Sequence, residues 1–209
     1  KILKNTKYYQ ASTSELYGLV SKNIQNETTK FHPRSPYSIS KLYAYWATIN
    51  YRESYNIYAC NGILFNHESK RRSVTFVTRK ITYGLVRVLF SKQKYLILGN
   101  LDSRRDWGHS EDFVKMQWKI LQQKKPKDYV ISTGLQFSVR KFVEKCCLRL
   151  GFKIKWKGKG VNEIGFIDKI FNDNLYKIHI DQIIIKVDKK FFRPAEVENL
   201  KGNINRAKK

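Results

Sequence analysis

A tyrosine and a lysine four residues apart are the side chains of this sequence best suited to proton transfer. Ser35 and Pro36 stand where a helix N-cap and a first helical residue belong. Tyr37 and Lys41 then occupy positions i and i+4 on one face of the new helix. A phenol is a poor base at neutral pH, but a nearby ammonium group and the positive end of a helix both favour its phenolate. The pair can therefore act as a general base towards a sugar or alcohol hydroxyl.

Two further polar residues precede this helix, at the end of a predicted strand. The segment Tyr8-Tyr9-Gln10-Ala11 is β-prone, and Gly18 marks the turn region that follows it. Thr13 and Glu15 then lie at the mouth of the strand, where open α/β sheets bind ligands. The carboxylate of Glu15 can serve there as a second base. Taken alone, the tyrosine–lysine pair also fits a half-buried aromatic beside a solvated charge, because such short motifs are weak.

Strands and helices alternate along the chain, which predicts an α/β fold with a parallel sheet. The predicted strands cover about 8–11, 57–65, 95–98, 129–132, 152–160 and 180–187, and the predicted helices about 36–55, 76–90, 111–123 and 139–150. Inward helix faces are predicted at Leu42, Tyr45, Trp46 and Ile49, and at Phe113, Val114, Trp118 and Leu121, with Ser110 as the N-cap of the third helix. Lysines that alternate with apolar residues in 152–160 predict a half-exposed strand.

The second predicted strand leads directly to a polar segment. Residues 57–65 form a nearly continuous apolar run, which fits a strand buried on both faces of a parallel sheet. Its carboxyl end delivers Asn66, His67 and Glu68 to the side of the sheet where ligands bind.

The charge of the chain is unusual for a metabolic enzyme. The 209 residues include 41 Lys and Arg against 17 Asp and Glu, a net charge of +24. Such a charge can bind nucleic acid through phosphate contacts, but binding proteins concentrate it on one face or tail, whereas lysines here are spread along the whole chain. Abundant Ile and Asn and sparse Ala indicate an A/T-rich coding sequence instead. We therefore do not expect a nucleic-acid site.

Other classes of protein are disfavoured by composition. No apolar run of about 18 residues is present, which predicts no membrane span. Cys60, Cys146 and Cys147 are odd in number and form no C-x-x-C pair, which favours buried thiols in a reducing, cytoplasmic protein over a disulfide framework or a zinc site. The four His have no metal-ligand spacing, so no metal is expected.

Several separate blocks together resemble the extended short-chain dehydrogenase/reductase superfamily and, more narrowly, the GDP-mannose 4,6-dehydratase family. They are Ala11–Gly18, Pro33–Tyr37 with Lys41–Ala44, Asn61–Ser69, Arg104–His109 and Phe192–Glu198. The blocks occur in the family's order, and the resemblance extends from Tyr8 to about Leu200.

The resemblance implies a site. Residues that match catalytic positions are Thr13, Glu15 and Tyr37, with Lys41, which also touches the cofactor ribose; His67 and Arg72 match further NADP contacts. Positions that match contacts to the GDP-sugar are Asn66, Val77, Lys80, Arg105, Arg193 and Glu196. The implied reaction converts GDP-mannose to GDP-4-dehydro-6-deoxymannose, the first step towards GDP-fucose, with NADP recycled within each turnover. The family also implies a homo-oligomer, a dimer or a tetramer.

The fold implied is α/β, an incomplete Rossmann-like parallel sheet with an interleaved small substrate-binding lobe. Residues 1–69 correspond to the second half of the NADP-binding domain, and residues 70–209 mostly to the GDP-sugar lobe, with a strand near 129–134 returning to the sheet. No G-x-G-x-x-G loop stands between a strand and a helix, so we interpret the chain as an N-terminally truncated piece. We expect it, by itself, neither to hold NADP tightly nor to turn over. The alternatives are a truncated, catalytically silent basic protein that binds nucleic acid nonspecifically, and a sibling nucleotide-sugar dehydratase or epimerase.

Overall fold

The computed structural model describes residues 6–19, 24–171, 176–192, 197 and 199–208. Its helices and strands, in chain order, are β1 (Tyr8–Thr13), α1 (Pro36–Tyr55), β2 (Ala59–Leu64), β3 (Asn66–Glu68), α2 (Val77–Leu89), β4 (Leu96–Leu98), β5 (Arg104–Arg105), β6 (Trp107–His109), α3 (Ser110–Leu121), β7 (Tyr129–Ile131), β8 (Phe137–Ser138), α4 (Val139–Arg149), β9 (Phe152–Lys157), β10 (Ile164–Ile170), β11 (Ile183–Val187) and β12 (Asn199–Leu200). The chain forms two compact units: the first from the described parts of Lys1–Ser69, Arg105–Gln136 and Val197–Lys209, the second from those of Lys70–Arg104 and Phe137–Glu196.

A parallel sheet in the order β1–β2–β7 is the centre of the first unit. Thr13 pairs with Leu64, and Leu64 pairs with Ile131, so the three strands end level with one another. Parallel strands need long crossover connections, and α1 provides the one between β1 and β2. The carboxyl ends of all three strands therefore meet at one edge of the sheet.

The middle strand of this sheet is buried along its whole length. All six residues of β2 are buried, as expected for a central strand covered on both faces. The surrounding core consists of Leu16, Tyr17, Tyr45, Cys60, Ile63, Phe65, Phe113, Ile120 and Val130 among others. The predicted apolar strand in 57–65 is thus confirmed.

Asn61, a polar residue inside β2, is hydrogen-bonded to Asp128, which in turn forms an ion pair with Arg52. Asp128 accepts hydrogen bonds from the backbone N and Nδ2 of Asn61, at 2.7 and 3.1 Å. Arg52, in the last turn of α1, binds both Asp128 oxygens at 2.9 and 3.0 Å. The Arg52 guanidinium also donates to the carbonyl of Ala59. These contacts fix the end of α1 to the sheet and give the buried backbone N and Nδ2 of Asn61 an acceptor.

The second unit is built on a mixed sheet in the order β4–β11–β10–β9. β10 runs antiparallel to both β9 and β11, whereas β11 runs parallel to β4. Helix α4 packs on β9 and on α2, and α2 also contacts β4. Phe152 and Ile154 of β9 are buried while Lys153, Lys155 and Lys157 are exposed. The predicted half-exposed strand is confirmed.

Both units combine helices with β-sheets, and the α/β class is confirmed. Among the described residues, none of the helices has the length and apolar character needed to cross a membrane. Within the same part of the chain, no cluster of His, Cys, Asp and Glu could hold a metal ion.

Some predicted helix faces are wrong. Trp46, Val114 and Trp118 are 56, 59 and 64 % exposed. Trp46 and Val114 lie next to the buried residues Tyr45 and Phe113, and Trp118 lies two residues before the buried Ile120. One residue along a helix rotates the side chain by about 100°, and two residues by about 200°. Trp46 nevertheless contacts Tyr45 edge-on, with the ring centroids 5.5 Å apart.

The predicted N-cap of α3 is also wrong. His109, not Ser110, caps the helix, and its Nδ1 accepts a hydrogen bond from the backbone N of Glu111. Ser110 is already the first helical residue.

Candidate active site

The helix that carries the tyrosine–lysine pair begins in a reciprocal capping box. The side chain of Ser35 accepts a hydrogen bond from the backbone N of Ser38, at 3.1 Å, and the side chain of Ser38 accepts one from the backbone N of Ser35, at 3.0 Å. Pro36 follows as the first helical residue. The predicted cap is confirmed, and it fixes the first turn, on which Tyr37 lies.

Lys41 joins this helix to the first strand. Its Nζ donates to the carbonyl oxygen of Ala11 in β1, at 2.8 Å, and lies 5.9 Å from the centroid of the Tyr37 ring. Tyr37 is 51 % exposed, so solvent and ligands reach the phenol. The structure thus brings Tyr37 and Lys41 together. The phenol of Tyr37 is accessible from solvent, and the ammonium group of Lys41 is held by its hydrogen bond to Ala11.

Thr13 and Glu15 lie at the carboxyl end of β1. Thr13 is buried, and its Oγ1 accepts a hydrogen bond from the backbone N of Glu15 at 3.2 Å. This contact starts a short 3₁₀ turn over Ser14–Leu16, which leaves the side chain of Glu15 half-buried. Gly18 follows at φ +50°, and a Cβ there would overlap the carbonyl of His32. The glycine therefore allows the turn after β1 to approach the segment before α1.

Asn66 and His67 follow β2 and begin β3. The parallel β3–β6 pair places Asn66 opposite Trp107 and His67 opposite Gly108. Nδ1 of His67 lies 2.9 Å from the carbonyl oxygen of Phe65. Because β1 and β2 end level, His67 belongs to the same sheet edge as Thr13.

Asp106, which follows Arg105, is hydrogen-bonded to the loop after β7. Arg105 is half-buried in β5. Asp106 is fully buried and accepts three hydrogen bonds, from the backbone N and Oγ1 of Thr133 and from the backbone N of Gly134. No role was predicted for Asp106 from the sequence, although it stands next to Arg105. The only available signal was an acidic residue just before the aromatic–glycine pair Trp107-Gly108.

Three more predicted residues belong to the second unit. The guanidinium carbon of Arg72 lies 3.5 Å from the centroid of the Phe76 ring. Val77 is the first residue of α2. Nζ of Lys80 lies 3.7 Å from the centroid of the Phe191 ring.

The environment of Lys80 differs from that of a surface lysine. Burial lowers the pKa of Lys80, and the positive charge of Lys190 lowers it further. Contact with the Phe191 ring favours the charged form and opposes this shift. Arg193 and Glu196, the remaining predicted sugar contacts, lie outside the described residues.

Comparison with known proteins identifies the family. The model of the family described as GDP-mannose 4,6 dehydratase matches residues 1–209. A GDP-mannose 4,6-dehydratase of Vibrio cholerae is 56% identical over 208 residues, which cover 100% of this chain and 56% of the relative. The human GDP-mannose 4,6 dehydratase is 49% identical over 207 residues, with 99% of this chain and 53% of the relative covered. The chain thus spans about half the length of the curated relatives it matches.

Solved structures agree on the fold. An NAD-dependent NDP-hexosamine 5,6-dehydratase involved in tunicamycin biosynthesis superposes with a TM-score of 0.74 at 15% identity, over 98% of this chain and 56% of the other. A Pseudomonas aeruginosa protein named RMD, complexed with NADPH, superposes with a TM-score of 0.73 at 18% identity, over 96% and 57% of the two chains. At these identities the likeness establishes the fold alone. With the family model matching every residue, the chain belongs to the GDP-mannose 4,6-dehydratase family.

Proposed function

We propose that this chain provides the catalytic residues of a GDP-mannose 4,6-dehydratase, which converts GDP-mannose to GDP-4-dehydro-6-deoxymannose and water. The observation that carries the proposal is the Tyr37–Lys41 pair, set on a capped helix start and anchored to β1. This arrangement occurs in a chain that matches the family over its whole length. The product serves as a precursor of GDP-fucose.

The residues predicted to bind the cofactor carry side-chain groups that suit a nicotinamide nucleotide. Lys41 supplies an ammonium donor and His67 an imidazole, and both suit the hydroxyl groups of a ribose. Arg72 supplies a guanidinium for a phosphate, which favours NADP over NAD. When bound, NADP would supply the hydride acceptor for carbon 4 of the sugar and the hydride donor for carbon 6.

Tyr37 removes the proton of the 4-hydroxyl group of mannose in this proposal. The ammonium of Lys41, held on the Ala11 carbonyl, stabilises negative charge on the phenol oxygen. The helix N-terminus adds a positive potential at the same place. Thr13, buried at the end of β1, donates its hydroxyl to the oxygen at carbon 4.

Glu15 acts on a different proton. Oxidation at carbon 4 acidifies the hydrogen at carbon 5, and the half-buried carboxylate of Glu15 removes it. The hydroxyl group leaves carbon 6 as water with the proton that Glu15 took from carbon 5, and a proton from solvent adds to carbon 5 when hydride returns to carbon 6. Tyr37 and Glu15 therefore divide the reaction into an oxidation and an elimination.

The remaining residues hold the nucleotide sugar. The proposed contacts to GDP-mannose are Asn66, Arg105, Val77, Lys80, Arg193 and Glu196. Residues 1–69 then provide the second half of the NADP-binding domain, and residues 70–209 mostly form the sugar lobe, with a strand near 129–134 returning to the sheet. We further propose a cytoplasmic homo-oligomer, a dimer or a tetramer. The free thiols of Cys60, Cys146 and Cys147 fit a reducing compartment.

A chimaeric enzyme tests the function. The matching stretch of the Vibrio cholerae dehydratase is replaced by this chain, whose 56% identity keeps most contacts to the rest of the host. With NADP present, the chimaera is expected to convert GDP-mannose with loss of one water and to leave dTDP-glucose and UDP-sugars unchanged. A folded chimaera that turned over another nucleotide sugar in preference would identify a sibling dehydratase or epimerase instead.

A further inference from the structure

One histidine at the sheet edge is held by contacts that reach beyond its neighbours in sequence. The ring of His67 stacks on that of Phe113 in α3, with the centroids 4.7 Å apart and the planes inclined by 24°. Phe113 is 3 % exposed, so its ring is fixed by the core. The stack therefore restricts rotation of the imidazole about its χ2 torsion.

The second contact determines which ring nitrogen carries the proton. Nδ1 of His67 lies 2.9 Å from the carbonyl oxygen of Phe65, and a carbonyl oxygen can only accept. Nδ1 therefore donates, and in the neutral ring Nε2 is left as an acceptor. Rotation of the ring out of the stacked plane would carry Nδ1 away from the Phe65 carbonyl, so the stack keeps the imidazole in the plane in which this hydrogen bond forms.

The place of the Phe113 ring depends on a glycine opposite His67. Gly108 pairs with His67 across the β3–β6 ladder. A Cβ at Gly108 would overlap the edge of the Phe113 ring and approach Cγ2 of Thr133 to 3.1 Å. Only a residue without a side chain leaves room for the ring at this position.

A buried carboxylate fixes the other wall of this space. Asp106 accepts the hydrogen bonds of Thr133 N, at 2.8 Å, and Thr133 Oγ1, at 2.6 Å, and that of Gly134 N at 2.9 Å. Thr133 therefore cannot move away to make room for a displaced Phe113 ring. All of these residues belong to the first unit.

We propose that Phe113, seated over Gly108, is a positioning residue that holds His67 as the Nδ1–H tautomer and presents Nε2 as a hydrogen-bond acceptor. The matching ligand group is a donor, such as a ribose hydroxyl or a carboxamide N–H of a nicotinamide nucleotide. The identity of that ligand rests on the proposed function, whereas the tautomer does not.

Nitrogen NMR of the chain tests the tautomer without any ligand. Long-range ¹H–¹⁵N spectra are recorded at alkaline pH, where imidazole is neutral, and His67→Gln identifies the His67 signals among the four histidines. Wild type is expected to show protonated Nδ1, bare Nε2 and ring protons shifted upfield by the Phe113 ring. A predominantly Nε2-protonated His67 in the wild-type chain would refute the proposal, whatever the variants do.

Two variants and a control separate positioning from general stability. Phe113→Leu keeps apolar volume but removes the stack, and Gly108→Ala displaces the ring without removing it. Both are expected to lose the upfield shift and to populate the Nε2–H tautomer. Val114→Ala, on the same helix but exposed, is expected to leave His67 unchanged. A single Nδ1–H tautomer retained in a folded Phe113→Leu chain would contradict the role of Phe113.

The chimaeric enzyme gives a second, separate readout. Phe113→Leu is expected to raise the KM for NADP by about tenfold, the equivalent of one hydrogen bond, with kcat changed much less. An unchanged KM would overturn the proposed ligand for Nε2 but not the tautomer. A chimaera without turnover would overturn the proposed function and leave the NMR result standing.

Discussion

At the scale of the residue, Tyr37 and Lys41 have unequal surroundings that suit unequal roles. Half of the Tyr37 side chain is exposed, whereas Nζ of Lys41 is bound to the Ala11 carbonyl. That contact holds the ammonium beside the phenol even when no ligand is present, so no reorganisation is needed at the moment of proton transfer. A lysine without this contact would lie in several rotamers and support the phenolate only part of the time.

The contribution of the Tyr37 phenol oxygen to kcat can be tested with a matched tyrosine on the same helix as the control. In the chimaeric enzyme, Tyr37→Phe is expected to lower kcat for GDP-mannose by about 10²- to 10⁴-fold, the usual contribution of a general base. Tyr43→Phe, at a position 79 % exposed on α1, provides the control and is expected to keep wild-type turnover. Equal losses in both variants, measured by steady-state kinetics, would show that Tyr37 has no special role.

The sequence predicted the Tyr37–Lys41 contact because a helix brings residues i and i+4 together whatever else the fold does. It did not predict the stack of His67 on Phe113, because that contact joins two elements far apart in the chain. Asp106 was missed for the same reason, since its partners Thr133 and Gly134 follow a different strand. Local spacing contains no information on such pairs.

At the scale of the element, α1 connects stability to the site. The helix begins in the Ser35–Ser38 capping box and ends at Asn56, whose φ of 49° lies in the left-handed region. Both ends were predicted correctly, and the N-terminal end could be predicted because the Ser35 cap acts through local hydrogen bonds. The faces of α1 and α3 were predicted less well. Trp46 and Trp118 are apolar but exposed, and apolar spacing alone cannot show which side of a helix meets the core.

Removal of the cap should affect both stability and activity. Ser35→Ala is expected to lower the free energy of unfolding by about 1 kcal/mol, because the backbone N of Ser38 loses its acceptor. The loosened first turn carries Tyr37, so kcat of the chimaera should fall as well. Asn50→Ala, at an exposed position in the same helix, is the control and should not destabilise the chain. Urea unfolding, followed by circular dichroism, measures the stability of both variants. A Ser35→Ala chain as stable as wild type would argue against the capping box.

At the scale of the whole molecule, the two units differ in how far the sequence predicted them. The parallel sheet of the first unit follows from alternating strands and helices and from the buried run in β2. The mixed sheet of the second unit was not predicted, since β10 carries Gly165, Asp168 and Lys169 and lacks a clear alternation. β10 is ordered by its neighbours on both sides rather than by its own pattern.

Buried phenols and thiols should make the folded chain sensitive to alkali. Burial raises the pKa of Tyr45 to about 12 and that of Cys60 to about 11, and it raises the pKa values of Tyr9, Tyr17 and Cys147 as well. Their contribution to stability is fully present below the ordinary values of the unfolded chain, 9.0 for Cys and 10.0 for Tyr, and is lost as the pH rises through the folded values.

The free energy of unfolding is therefore expected to decrease from about pH 9 upward. Urea titrations at a series of alkaline pH values measure the decrease. Tyr45→Phe removes one ionising group while it keeps the buried ring, so its curve should fall less steeply than that of wild type. A wild-type curve that stayed flat through this range would contradict the burial of these groups.

The division of labour between Tyr37 and Glu15 is tested most directly by the fate of hydrogen at carbon 5. The chimaeric enzyme and its Glu15→Gln variant are incubated with GDP-mannose and NADP in D₂O. The unsubstituted chimaera is expected to lose water and place one deuterium at carbon 5. Glu15→Gln is expected to oxidise carbon 4, with accumulation of reduced cofactor, but to lose no water and take up no deuterium. Product formation by Glu15→Gln at the unsubstituted rate, with deuterium at carbon 5, would contradict the account.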